Sequence, residues 1–134
     1  MASPSLGPRR KVLFVEDESA LRRTYQRFFA DRYHLAFAAS GTEARQQLAE
    51  FRPEVLVLDL RLPDTDGAVL LHRMRGQHGG RDIPVIVVSA TVADQAPMRE
   101  ADAVLSKPFD ISELLGTIYR VSRDHQAHAR AVLH

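Results

Sequence analysis

The sequence contains no cysteine and no tryptophan, and it has almost no excess of charge of either sign. Without cysteine the chain can form neither a disulfide framework nor a thiol-based catalytic centre, which fits a reducing, cytoplasmic location. The net charge of +1 over 134 residues gives no general attraction to nucleic acid or to a membrane surface. No apolar stretch approaches the ~20 residues that span a bilayer.

The composition is that of a single folded domain with polar ends. Apolar residues make up 45% of the chain and charged residues 26%, which is ordinary for a globular protein. Residues 1–9 are rich in Ser, Pro and Gly and are expected to form a disordered leader. Residues 10–122 would form the domain, and the polar residues 123–134 would be either a helix extension or a linker.

Short apolar runs alternate with segments of helical periodicity along the whole domain. The runs predict five strands, at Lys11–Val15, Tyr33–Phe37, Val55–Asp59, Pro84–Ser89 and Val104–Ser106. Helices are predicted from Ser19, from Ser40, over Val69–Arg75, over Thr91–Ala101 and over Ile111–Val121. The first helix would bury a stripe formed by Leu21, Tyr25, Phe28 and Phe29, and residues 62–67, which end at Gly67, would form a loop. This (βα)₅ order predicts an α/β fold with a doubly wound parallel sheet between two helical layers.

A charged or hydroxyl residue stands at the end of four of the predicted strands. Glu16 and Asp17 follow the first strand, Asp59 ends the third, Ser89 ends the fourth, and Lys107 follows the fifth. Parallel strands end at the same edge of a sheet, and ligands bind beyond that edge in folds of this kind. We therefore expect three carboxylates, a hydroxyl and an ammonium group close together.

Carboxylates grouped in this way suit a hard divalent cation. Mg²⁺ typically takes one or two carboxylates together with water and phosphate oxygens, and Mn²⁺ accepts similar ligands. Asp17 and Asp59 would supply direct ligands, and Glu16 would assist through water.

The same residues suit phosphoryl transfer. The carboxylate of Asp59 can attack phosphorus to form an acyl phosphate. Lys107 would neutralise the phosphoryl oxygens, and the Ser89 hydroxyl and the Ala90 amide would donate hydrogen bonds to them.

Each residue also has an ordinary structural explanation. Asp59 could cap the following loop, the pair Glu16 and Asp17 could cap the first helix, Ser89 could be a turn residue, and Lys107 could be a surface lysine. These separate explanations do not account for the placement of all of them at one edge.

Four motifs make the chain resemble the receiver domain of two-component response regulators, the CheY-like superfamily with its flavodoxin-like fold. They are VLFVEDE with Glu16 and Asp17, VLVLDLRLPDTDG around Asp59, VIVVSA ending at Ala90, and SKPF with Lys107. Together they cover about residues 10–122.

The resemblance implies a phosphorylation switch. Asp59 would accept a phosphoryl group from a sensor histidine kinase or phosphotransfer protein, and an output domain or effector protein would respond. Glu16, Asp17, Asp59 and the Arg61 carbonyl would bind Mg²⁺, and Lys107, preceding a cis peptide bond to Pro108, would contact the phosphoryl group. The chain would catalyse its own phosphorylation and dephosphorylation, with no turnover of a free substrate and no contact with nucleic acid.

The chain departs from the family at two places. Val104 stands where receivers usually carry Tyr or Phe, and the segment from Ser89 to Lys107 is shorter than usual by about one helical turn. We expect the helix in this segment, Thr91–Ala101, to be short or irregular, since it also contains Pro97. An alternative is therefore an interaction module on the same fold that works without phosphorylation. A phosphohydrolase is disfavoured, because Arg61 occupies the position of the second carboxylate that such enzymes use.

Overall fold

The computed structural model describes residues 9–77, 82–90 and 99–133 of the chain. They form one five-stranded parallel sheet with helices on both faces. The strands are β1 Lys11–Val15, β2 His34–Ala38, β3 Val55–Asp59, β4 Val85–Ser89 and β5 Ala103–Ser106. Their spatial order is β2-β1-β3-β4-β5, so the order reverses between β1 and β3. The predicted doubly wound α/β sheet is confirmed.

Four helices lie within the described residues: α1 Ser19–Phe29, α2 Gly41–Glu50, α3 Gly67–Gly76 and α4 Ile111–Leu133. The start of α2 follows from its sequence, because the Ser40 hydroxyl accepts a hydrogen bond from the Glu43 amide at 3.2 Å. Asp66 caps α3 in a similar way, accepting from the Ala68 amide at 2.9 Å. None of the helices described here is long and apolar enough to cross a membrane.

The two faces of the sheet carry separate hydrophobic cores, because successive residues of a strand point to opposite faces. On one face Phe14 of β1 packs with residues of α1 and α4, among them Tyr25, Phe29 and Ile118. The opposite core contains the alternate strand residues, and α2 and α3 pack over them. Its buried members are Leu13, Val15, Ala38, Leu56, Leu58, Val85, Val87, Ala44, Leu70, Leu71 and Met74. Helix, sheet and helix therefore form three layers, as predicted.

The boundaries differ from the sequence prediction at several elements, and β4 and β5 each begin one residue away from the predicted start, at Val85 and Ala103. Strand β2 is displaced by one residue, to His34–Ala38, and α3 begins two residues earlier than predicted, at Gly67. Helix α4 continues past the predicted end at Val121 to Leu133. Phe28, expected on the buried stripe of α1, is 52% exposed, because Tyr25 and Phe29 already fill the space above Phe14.

Most of the helix predicted over Thr91–Ala101 lies outside the described residues. At its end, the Glu100 carbonyl accepts hydrogen bonds from Nε and Nη2 of Arg75 at 3.0 and 2.8 Å. The same guanidinium donates to the Ile83 carbonyl and to Oδ2 of Asp102. Arg75 thus ties the end of α3 to the residues that precede β4 and β5.

Candidate functional site

The order of the strands brings the predicted polar residues together at the carboxyl edge of the sheet. Glu16 and Asp17 follow β1, Asp59 ends the neighbouring strand β3, and these two strands flank the point where the order reverses. One carboxylate oxygen from each of the three residues lies within 4.8 Å of the others. Glu16 and Asp59 are buried, whereas Asp17 is exposed. Three carboxylates therefore share one partly open pocket of negative charge.

Lys107 reaches this cluster from the loop after β5. Its Nζ donates hydrogen bonds to Oε1 of Glu16 at 2.8 Å and to Oδ2 of Asp59 at 2.9 Å. The Lys107 amide donates to the Ser89 carbonyl at 2.9 Å, which holds the Lys107 backbone beside the end of β4. The peptide bond from Lys107 to Pro108 is cis, as the resemblance implied. One ammonium group against three carboxylates leaves an excess of two negative charges at full ionisation.

The surroundings shift the pKa values of Glu16 and Lys107. Burial raises the pKa of Glu16 above its usual value, and the neighbouring Asp59 carboxylate adds to the effect, while the hydrogen bond from Lys107 opposes it. Burial alone would lower the pKa of Lys107, but its hydrogen bonds to Asp59 and Glu16 outweigh this and raise it. Lys107 therefore stays protonated, as a cation held against the carboxylates.

The loop after β3 fixes the other oxygen of Asp59. Oδ1 of Asp59 accepts a hydrogen bond from the Arg61 amide at 3.0 Å, so this carboxylate does cap its own loop as well as contacting Lys107. A β-bridge between Arg61 and Asp66 closes the loop, and the Gly67 amide donates to the Leu60 carbonyl at 2.7 Å. The loop thus holds the Arg61 backbone beside the acidic cluster.

The remaining predicted residues lie at the end of β4. Ser89 is fully buried and pairs in register with Ser106 of β5, and Ala90 follows it in an exposed bend. Val104 is partly buried and packs against the core under α2 and α3. The N-terminal cap of α1 is Glu18 rather than Glu16 or Asp17, and its side chain makes no capping hydrogen bond. Oε2 of Glu16 nevertheless accepts a hydrogen bond from the Glu18 amide at 3.2 Å, so this carboxylate also contacts the start of α1.

The sequence interpretation missed two residues that shape this edge. Tyr25 was assigned only to the buried face of α1, yet burial raises the pKa of its phenol, and the charges of Glu16 and Asp59 raise it further. Gly67 was assigned only to a loop, but a Cβ there would lie 2.6 Å from the Asp59 carbonyl oxygen. A glycine at the start of a helix was the only available signal, because close backbone approach cannot be read from local periodicity.

The arrangement as a whole can bind a divalent cation through carboxylate oxygens and can hold an anion between that cation and Lys107. Asp59 accepts a hydrogen bond from Lys107 on one carboxylate oxygen and from the loop backbone on the other.

Comparison with known proteins identifies the family. The sequence model of the response regulator receiver domain family matches residues 12–119 of this chain. The transcriptional regulatory protein KdpE of Staphylococcus aureus is 34% identical over 124 residues, covering 87% of this chain and 52% of that protein. The response regulator MprA of Mycobacterium tuberculosis is 33% identical over 118 residues, covering 84% of this chain and 50% of that protein. The chain thus spans about half the length of the curated relatives it matches.

A solved structure shows the same fold. The receiver domain of a sensor histidine kinase from Pseudomonas aeruginosa, solved with a magnesium ion coordinated in its active site cleft, has a TM-score of 0.77 at 24% identity. The alignment covers 85% of this chain and 98% of that one. This chain belongs to the response regulator receiver domain family of two-component signalling proteins.

Proposed function

We propose that this chain is a phosphorylation switch in which Asp59 accepts a phosphoryl group from a phosphohistidine. The observation that carries the proposal is the position of Lys107, whose Nζ lies 2.9 Å from Asp59 and 2.8 Å from Glu16. A lysine that only balanced surface charge would not be held 21% exposed between two buried carboxylates.

The donor set at the carboxyl edge fits Mg²⁺. Asp17 and Asp59 would be direct ligands, the Arg61 backbone carbonyl would be a third, and Glu16 would act through water. All are oxygen donors, and the excess negative charge of the cluster favours a divalent cation over a further lysine. Bound Mg²⁺, or Mn²⁺ in its place, would neutralise charge on the phosphoryl oxygens.

Phosphoryl transfer would use the residues as follows. A carboxylate oxygen of Asp59 forms a bond to phosphorus as the bond from phosphorus to the donor imidazole nitrogen breaks, and the imidazole leaves with its electron pair. Lys107 shifts its hydrogen bonds from the carboxylates to the transferred group. The hydroxyl of Ser89 and the amide of Ala90 donate to the remaining oxygens. Water later attacks phosphorus, which releases phosphate and restores the Asp59 carboxylate.

The partners follow from this chemistry and from the relatives. A histidine kinase or a phosphotransfer protein would supply the phosphoryl group in the cytoplasm, and residues 10–122 would be the receiver unit. The curated relatives are about twice as long as the matched region, so an output domain or a separate effector would respond to phosphorylation. No direct contact of this segment with nucleic acid or membrane is required.

The test is the intact mass of the protein after incubation with acetyl phosphate, with and without Mg²⁺. We expect a Mg²⁺-dependent gain of one phosphoryl group, because only the metal-bound cluster can accept the additional negative charge.

Two variants act as controls. Asp59→Asn should show no gain, while Asp31→Asn, which removes an exposed carboxylate outside the cluster, should behave as the wild type. Rapid hydrolysis could hide the adduct, so a beryllofluoride titration should accompany the mass measurement. If the mass shows no added phosphoryl group and beryllofluoride does not bind, the proposal of a phosphorylation switch is contradicted.

Val104 favours a second candidate, an interaction module that works without phosphorylation. This branched side chain is partly buried against the core, where the usual aromatic side chain of the family could turn between two positions. If beryllofluoride binds without changing the amide chemical shifts of β5 and α4, the module is the better description.

A further inference from the structure

A cavity lined by arginine and tyrosine lies at the opposite edge of the sheet from the acidic cluster. Its volume is about 370 Å³, within the lower range of small-molecule sites. Arg10 and Tyr33 line it and directly precede β1 and β2, whereas Glu16 follows the other end of β1. Four residue steps along β1, or about 13 Å, separate these two ends of the strand. The lining residues are Arg10, Arg32, Tyr33, Tyr119, Ser122 and Arg123.

The charge of this cavity is positive and only partly balanced. Three guanidinium groups line it, and none of the carboxylates of the described residues does. Arg10 pairs with Oε2 of Glu54 at 3.3 Å, which offsets one charge. Within the described part of the chain neither Arg32 nor Arg123 forms an ion pair, so about two positive charges remain. The Arg123 guanidinium lies over the Tyr119 ring at 5.7 Å, which holds it at the cavity wall.

Ser122 supplies an independent sign of a ligand. The residue is only 6% exposed, it lines the cavity, and its Oγ has no hydrogen-bond partner among the described residues. A buried hydroxyl without a partner is costly, and such groups are usually satisfied by something bound. An oxyanion in the cavity would accept this hydrogen bond.

We propose that the cavity binds the phosphate group of a small phosphorylated molecule. Two unbalanced guanidinium groups match the charge of a phosphate monoester, which is about −1.5 to −2 near neutral pH, better than that of a single carboxylate. Arg32 and Arg123 hold the phosphate oxygens, and the Ser122 hydroxyl donates to one of them. The rings of Tyr33 and Tyr119 contact the organic part of the molecule.

The test is a nuclear magnetic resonance titration of the full chain with adenosine 5′-monophosphate, inorganic phosphate, adenosine and succinate. Ionic strength is held constant and a chelator keeps metal from the acidic cluster. We expect saturable amide shifts near Arg32 and Ser122 with both phosphate compounds and none with adenosine. Tighter binding of the nucleotide than of phosphate would show that the rings contribute, and equal binding would show that the site takes free phosphate. Succinate binding as tightly as phosphate, or no saturable shift with either phosphate compound, would overturn the proposal.

Variants separate binding from folding. Ser122→Ala removes the unpartnered hydroxyl, so it should not lower the melting temperature, but it should weaken phosphate binding by about two- to tenfold. Arg32→Ala combined with Arg123→Ala should abolish binding. Arg27→Ala removes an exposed guanidinium of α1 that does not line the cavity, and it should leave binding unchanged. If Arg27→Ala and Arg123→Ala weakened phosphate binding equally, binding would depend only on the overall positive charge of the protein. That result would overturn the proposed site.

Discussion

At the residue scale, the acidic edge depends on a glycine as much as on its carboxylates. The Gly67 amide donates to the Leu60 carbonyl at 2.7 Å, which brings the start of α3 against the end of β3. Asp59, Leu60 and Gly67 are therefore packed backbone to backbone. The position of Asp59 at the end of a predicted strand was enough to place its carboxylate in the acidic cluster. The contact with Gly67 was not predictable, because it depends on how α3 returns to the sheet.

We predict that Gly67→Ala destabilises the protein by about 1–3 kcal/mol, as overpacking of a close contact does. The added Cβ would lie 2.6 Å from the Asp59 carbonyl oxygen and 2.7 Å from the Leu60 Cα, so the backbone must move. Urea unfolding measures the loss.

Gly116→Ala is the matched control. Gly116 lies in the interior of α4, and a Cβ there would meet nothing within 4 Å. We expect this change to stabilise the protein by about 0.5–1 kcal/mol, since alanine favours a helix over glycine. Gly67→Ala with wild-type stability would show that the loop absorbs the methyl group without strain.

At the scale of elements, the loop after β3 also holds the start of α2. The Asp64 carboxylate accepts hydrogen bonds from the amides of Gly41 and Thr42 at 2.7 and 3.0 Å and from the Thr42 hydroxyl at 2.9 Å. The first amides of a helix have no partner within the helix, so this carboxylate satisfies groups that water would otherwise bind. The sequence predicted that α2 starts at Ser40, which is adjacent to the helix. It did not predict that Asp64 also caps α2, because Asp64 lies more than twenty residues along the chain from Gly41.

The hydrogen bonds from Gly41 and Thr42 lower the pKa of Asp64 below 3.8, which makes its contribution to stability dependent on pH. A carboxyl group with a lowered pKa in the folded state stabilises the fold above its unfolded pKa. That contribution is lost as pH falls through the folded value.

We therefore predict that Asp64→Asn lowers the free energy of unfolding near neutral pH. The difference from the wild type should shrink as pH falls below 3.8 towards the folded pKa. Urea unfolding across this range tests it, with the exposed Asp31→Asn as the control. A difference between Asp64→Asn and the wild type that does not change with pH would show that the ionised carboxylate is not the stabilising group.

At the scale of the whole molecule, folding assembles a cluster of like charges that the unfolded chain keeps apart. Lys107 lies 91 positions from Glu16 and 48 from Asp59, yet it contacts both. Because three carboxylates face one ammonium group, the cluster is a place where a bound cation would stabilise the folded state selectively.

We predict that Mg²⁺ raises the free energy of unfolding, by about 2.7 kcal/mol when it is present at a hundred times its dissociation constant. Asp17→Ala should lose most of this gain, since it removes an exposed ligand without disturbing the contacts of Lys107. Asp31→Ala should keep the gain. Urea unfolding with Mg²⁺ or with a chelator, at constant ionic strength, measures this increase in the free energy of unfolding. An equal increase in Asp17→Ala and Asp31→Ala would show that the metal binds outside the acidic cluster.

The order of strands and helices along the chain, and the polar residues at the ends of four of the strands, could be predicted from the sequence alone. Both depend on local periodicity and on the rule that parallel strands end at one edge of a sheet. Three features required the three-dimensional fold: Lys107 bridges Glu16 and Asp59, Phe28 remains exposed, and arginines surround Ser122 at the opposite edge. Those contacts join residues far apart in the chain, and they depend on how each helix packs on the sheet, which no local pattern encodes.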